Sequence, residues 1–157
     1  LEGSTPAKER GDGFREGIAG NPDVAIIASQ NADWLREKAI PVSQAMFQAN
    51  PVVHVVYGHN DPMAEAAIIS AENANLDLSQ IAFIGIDALP TADGGIKSVM
   101  DGRLTATYVY PTGGAEAIEF AKAILEGGEA PPNTVVLETE QVTSDNAADL
   151  YAKFGGQ

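Results

Sequence analysis

The sequence contains no cysteine among its 157 residues. A disulfide framework and a thiolate metal site are therefore excluded, and stability has to come from packing. Positive charge is scarce. The 9 Lys and Arg stand against 22 Asp and Glu, a formal net charge of −13. That excess repels phosphate backbones, which excludes nucleic acid as a partner of this segment. No Lys/Arg cluster marks an anionic membrane surface, and no apolar run has the length to cross a bilayer. No secretory signal precedes Leu1, and the opening Leu1-Glu2-Gly3, without an initiating Met, reads as a processed or trimmed product. Histidine is limited to His54 and His59, too few convergent donors for a zinc site. Also missing are a nucleophile elbow, a Walker loop and a dinucleotide fingerprint, so no cofactor is expected.

What is present fits one folded domain: 45% hydrophobic and 20% charged residues, with Trp34 as the single tryptophan. Short apolar runs alternate with helical patterns. Strands are expected at residues 24–28, 52–57, 81–87, 104–110 and 134–137. Near-continuous apolar strands of this kind belong to a sheet covered on both faces. Helices are expected at 8–19, 33–49, 61–73, 96–100 and 114–126, with a last segment capped by Ser144-Asp145 and running through Ala152. Pro41 should kink or split the second of these. Asp61-Pro62 reads as an N-cap followed by proline at the first helical position. The order predicts an α/β fold with an open, mostly parallel, doubly wound sheet. Ligands bind beyond the carboxyl ends of the strands in such sheets.

Those ends carry the polar groups. Ser29-Gln30-Asn31-Ala32-Asp33-Trp34 follows the first strand and Gly58-His59-Asn60-Asp61 the second; Asp87 ends the third and Tyr108-Val109-Tyr110-Pro111 the fourth. Amide and carboxylate groups suit sugar hydroxyls. The C–H face of a sugar ring suits Trp34 or Tyr110, and Arg10 offers a planar fork of donors if its helix turns toward this edge. Simpler readings stand beside these. Arg10 has Glu9 and Asp12 as near neighbours, Asn60 suits a turn, and His54, alternating with valines, is structural. Thr112-Gly113-Gly114 is a plain helix start in a chain this acidic. The carboxylates Asp61 and Asp87 alone raise the alternative of glycoside hydrolysis.

Several motifs now combine: residues 3–14 (Gly-Ser-Thr-Pro-Ala-Lys-Glu-Arg-Gly-Asp-Gly-Phe), Ala28 to Trp34, Gly58 to Ala64, Ile84-Gly85-Ile86-Asp87, Asp101 to Thr107, and Ile124-Leu125-Glu126-Gly127. In their order and spacing the chain resembles the C-terminal half of a periplasmic sugar-binding protein of the ribose-binding type. The resemblance implies sugar contacts at Arg10, Trp34, Asn60 and Asp87. The family usually has Phe at the position of Trp34, and an amide side chain where Tyr110 falls. It further implies a second lobe over residues 1–110, a crossover helix and strand of the first lobe over 111–140, and a return toward the second lobe over 141–157. The implied activity is binding without covalent chemistry, not catalysis. A monosaccharide is trapped by closure of two lobes and passed to an ATP-binding-cassette (ABC) permease in the periplasm or another extracytoplasmic space. The implied partners are that sugar, that permease, and the missing N-terminal half or another fragment. Two alternatives share the fold: the sugar-sensing input domain of a chemoreceptor or sensor kinase, and the effector domain of a lac-repressor-type regulator.

Overall fold

In the computed structural model, which describes residues 3–156, the first helix, α1, runs from Thr5 to Ile18. It starts earlier than its apolar spacing indicates, because the Ser4 side chain accepts from the Ala7 N–H and Pro6 sits in the first turn. The remaining helices are α2 (Arg36–Ala49), α3 (Asp61–Asn73), α4 (Gly95–Met100), α5 (Gly114–Leu125) and α6 (Ala147–Lys153). The strands are β1 (Val55–Tyr57), β2 (Ala82–Ile84), β3 (Thr107–Tyr108) and β4 (Gln141–Val142), and a single 3₁₀ turn covers Leu78–Gln80. Leu1 and Glu2, where the expected second lobe begins, and Gln157, where the expected return ends, lie outside the described residues.

The sheet is parallel where the sequence places it. β1 pairs with β2 in parallel, Val55 opposite Ala82. Two isolated parallel bridges, Ile84 with Ala106 and Asp87 with Val109, carry the pairing on to the β3 segment. β4 then closes against β3 in antiparallel fashion, Thr107 opposite Val142.

Two expected strands do not form ladders. Residues 24–28 form no strand, and Ile27 is 55% exposed. A strand needs a hydrogen-bonding neighbour, and none of the described residues supplies one there. Residues 134–137 are likewise unpaired, with Val136 exposed; the ladder in this part of the chain is β4, further on.

Three local expectations are also corrected. Pro41 does not split α2, which runs unbroken from Arg36 to Ala49. It lies on the exposed side of the helix, where water can satisfy the Glu37 carbonyl that its missing N–H leaves unbonded. Asn60, not Asp61, is the N-cap of α3: its side chain accepts from the Met63 N–H, and Asp61 is already helical. Ser144 and Asp145 lie in the turn ahead of α6, whose cap position is Asn146.

The core sits where α3 meets the sheet. Phe83, Ile68, Ile96, Leu104 and Val142 are all buried. They share one cluster with Ala64, Ala67 and Ala71 of α3. On its other side Ala66 joins Ala39 of α2. Alanine on both faces lets α3 lie between its neighbours without a gap. α5 contrasts with this: none of its residues is buried, and Ile118 and Leu125 face outward.

Candidate ligand site at the strand ends

Five chain segments end around one cavity of about 310 Å³. Arg10 of α1, Trp34 of the loop before α2, Asn60 at the start of α3, Asp87 after β2 and Tyr110 after β3 line it, together with Ser4 and Pro6. The structure thus brings all five residues named from the sequence onto one surface, beyond the carboxyl ends of the parallel strands. Ser4 and Pro6 were missed as lining residues, because Ser-Thr-Pro reads simply as the start of a helix.

Arg10 is the centre of the cavity. Its guanidinium lies 5.2 Å from the Trp34 ring centroid and 4.9 Å from that of Tyr110. One nitrogen donates to the His59 carbonyl, and another donates to Asp87 Oδ1 at 3.3 Å. Asp12, its sequence neighbour, pairs instead with Lys8 and Arg15. Burial raises the Asp87 carboxyl above the ordinary aspartate value, and the Arg10 charge works in the opposite direction. A cation flanked by ring faces and tied to a carboxylate leaves part of its donor fork toward the cavity.

Trp34 is held by an unusual backbone. Asp33 and Trp34 have φ of 52° and 67°, a left-handed pair without glycine. Such residues cost on the order of 1 kcal/mol or more each, and they need support from their surroundings. Asn31 accepts from the Asp33 N–H, Lys38 pairs with the Asp33 carboxylate, and Asn60 Nδ2 donates to the Trp34 carbonyl at 3.1 Å. Asn60 therefore caps α3 with its oxygen and anchors Trp34 with one N–H, which leaves one N–H for a ligand.

Behind Trp34 runs a row of rings: Phe14 stacks on Tyr57 at 4.9 Å, Tyr57 meets His59 at 5.1 Å, and His59 meets Trp34 at 6.3 Å. Burial lowers the His59 imidazole below the usual histidine value, and the Arg10 charge adds to this. A neutral His59 suits its place beside a guanidinium. The alternation of residues 52–57 gives no hint of this row, since Tyr57 meets its partner on α1 only in the folded chain.

Asp61 points away from the cavity. Its carboxylate is buried, accepting from the Thr107 hydroxyl at 2.6 Å and from the Ala88 N–H at 2.8 Å. The hydrolytic alternative needs two carboxylates flanking one bond, and only Asp87 lines the cavity. Among the described residues no group of three or more His, Cys, Asp or Glu side chains converges to hold a metal, and no helix is long and apolar enough to cross a membrane.

The model of the periplasmic binding protein domain matches residues 2–129 of the sequence. The chain belongs to the periplasmic binding protein family. The ribose import binding protein of Escherichia coli (strain K12) is 35% identical over 129 residues, covering 81% of this chain and 42% of that protein. Among solved structures, the fructose-binding periplasmic domain of a hybrid two-component system superimposes with a TM-score of 0.91 at 37% identity, over 98% of this chain and 50% of that one. The binding protein of the arabinose ABC transporter from Shewanella sp. ANA-3, bound to L-arabinofuranose, superimposes with a TM-score of 0.88 at 28% identity, over 99% and 52%. The chain spans about half the length of these relatives. All three are sugar-binding proteins by their descriptions, and the family is periplasmic.

Proposed function

We propose that this chain forms one wall of a cleft that binds a monosaccharide without covalent chemistry. The observation that carries this reading is the meeting of Arg10, Trp34, Asn60, Asp87 and Tyr110 around a single cavity. The guanidinium, the carboxylate and the free amide N–H bind hydroxyls in fixed directions. Trp34 and Tyr110 offer apolar ring surface to the C–H face of the sugar. Tyr110 stands where the family usually has an amide side chain, so the ligand there meets a ring and a phenol hydroxyl in place of an amide carbonyl and its N–H groups. We assign residues 3–110 to the second lobe and residues 111–140 to a crossover belonging to the first, with the remainder returning. The exposed apolar side of α5 and the unpaired segments 24–28 and 134–137 support this division, because another part of the fold would cover them.

In this reading the wall is completed by an N-terminal lobe, the sugar is trapped when the lobes close, and the closed form docks on an ABC permease in the periplasm. Titration of the intact protein with pentoses and hexoses tests it, read by the fluorescence of Trp34, the single tryptophan of this chain. The expected result is a saturable change with at least one sugar and none in Trp34→Phe. Absence of any response, by fluorescence or by calorimetry, refutes the site. The likeness to a fructose-binding domain of a hybrid two-component system favours a second reading, a sensor input domain. Sugar uptake lost on deletion of the gene supports delivery; uptake intact with sugar-dependent transcription lost supports sensing.

A further inference from the structure

Three of the five segments that end at the cavity, those carrying Asn60, Asp87 and Tyr110, are joined by one buried side chain. Asp61, only 2% exposed, directly follows Asn60. Its Oδ2 accepts from the N–H of Ala88, the residue after Asp87, at 2.8 Å. Its Oδ1 accepts from Thr107, at the head of the β3 segment that leads to Tyr110, at 2.6 Å. Its own backbone N–H donates to the Ile86 carbonyl at 2.8 Å. The carboxylate is also tightly enclosed. A Cβ on Gly85 would lie 2.1 Å from one of its oxygens, and a Cβ on Gly95 2.0 Å from the other. Glycine at both places lets the β2 end and the start of α4 close around it.

The segment it holds is strained. Asp87 has φ of 117° and Ala88 has φ of 50°, both in the half of conformational space that side chains disfavour. This backbone turn aims the Asp87 carboxylate back at Arg10, and Asp87 also donates its N–H to the Tyr108 carbonyl at 3.0 Å. The Ala88 methyl packs in the core and Asp87 is bridged to the β3 segment, so the turn stays attached without Asp61; what the Asp61 carboxylate adds is the hydrogen bond to the Ala88 N–H that holds the strained form. We propose that Asp61 is the positioning residue of the ligand site: it holds the strained Asp87–Ala88 turn, and through Thr107 it sets the distance of that turn from Tyr110. The proposal rests on the reading of the cavity as a sugar site.

Its test uses Asp61→Ala, Asp61→Ser and Asp61→Asn in the intact protein, with the N-terminal lobe that completes the cleft. Asn has the length to accept from Ala88 and to donate to Thr107; Ser and Ala are too short for either. Amide hydrogen exchange is followed at Ala88 and Asp87, with Thr105 as the internal reference. Thr105 donates to the Phe83 carbonyl at 2.8 Å, in the same strand pairing but away from the cavity. In the Ala and Ser variants, Ala88 and Asp87 are expected to exchange about tenfold faster while Thr105 is unchanged, and Asn is expected to restore both. Titration with D-ribose, D-allose and D-fructose, read by the Trp34 indole resonance, is expected to weaken about tenfold with Ala or Ser and to recover with Asn. Equal acceleration of all three amides, an unchanged Ala88, failure of Asn to rescue, or failure of both Ala and Ser variants to fold each overturns the proposal, since a local task for Asp61 is then wrong. If the unsubstituted intact protein answers to no sugar, the sugar reading fails by itself, and the exchange data still decide whether Asp61 holds the turn.

Discussion

Asp61 also makes the stability of this protein depend on pH in a direction opposite to that of an ordinary surface aspartate. Burial pushes its carboxyl from the usual 3.8 up to about 7; the Thr107 hydroxyl and the Ala88 N–H pull it back only partly, and the nearby Asp87 charge adds to the rise. An acid that binds its proton more tightly when folded stabilises the fold below its unfolded value and loses that contribution as pH climbs through the folded one. The interval from 3.8 to about 7, at about 1.4 kcal/mol for each pH unit, corresponds to about 4 kcal/mol. Asp61→Asn keeps the shape and both hydrogen bonds but cannot ionise. Urea unfolding followed by circular dichroism, at a series of pH values, gives the stability of each protein. The unsubstituted chain is expected to lose stability relative to Asp61→Asn by about 4 kcal/mol between about pH 4 and pH 8. Groups shared by the two proteins, Asp87 among them, largely cancel in this difference. A difference that stays constant across the range refutes the reasoning. It would mean that Asp61 is ionised in the folded state throughout, with its donors outweighing burial.

Two further outcomes are expected. Arg10→Lys keeps the charge but loses the planar fork that lies between Trp34 and Tyr110 and reaches His59 and Asp87, so sugar affinity by calorimetry should fall by about ten- to a hundredfold with little change in unfolding midpoint. Arg103→Ala leaves the buried Glu65 carboxylate with only the Ser98 hydroxyl and frees Glu72, and should cost about 1–3 kcal/mol in urea unfolding without altering sugar affinity.

The parts of this molecule that were legible in the sequence are those fixed by local chemistry. Apolar runs separated by turn residues placed β1, β2 and β3, and the strand-end rule then pointed to Asn60, Asp87 and Tyr110. Residues 24–28 look like a strand for the same reason, yet a strand depends on its neighbour, and the sequence does not say whether one is present. Pro41 does not split α2 because its cost depends on which side of the helix it occupies, which only packing decides. The Asn60-Asp61 pair was inverted for a related reason. Both side chains are good caps in isolation. The choice fell to the residue whose partner lies beside the helix end, while the other turned inward to Thr107 and Ala88. Arg10 was similarly ambiguous. Asp12 is nearer in sequence, but Asp87 is nearer in space, and the ring faces of Trp34 and Tyr110 that hold the guanidinium come from two other segments.

The flanking of Arg10 by two rings has a consequence for selectivity. A free arginine side chain gives up about 2 kcal/mol of rotamer freedom when it is immobilised. Here that loss is incurred as the chain folds, since Arg10 is held by the protein's own Trp34, Tyr110, His59 and Asp87. An incoming sugar meets a rigid template instead of a mobile arm. A rigid template cannot reach out to a hydroxyl of the wrong configuration, so epimers should be told apart by donors that stay still.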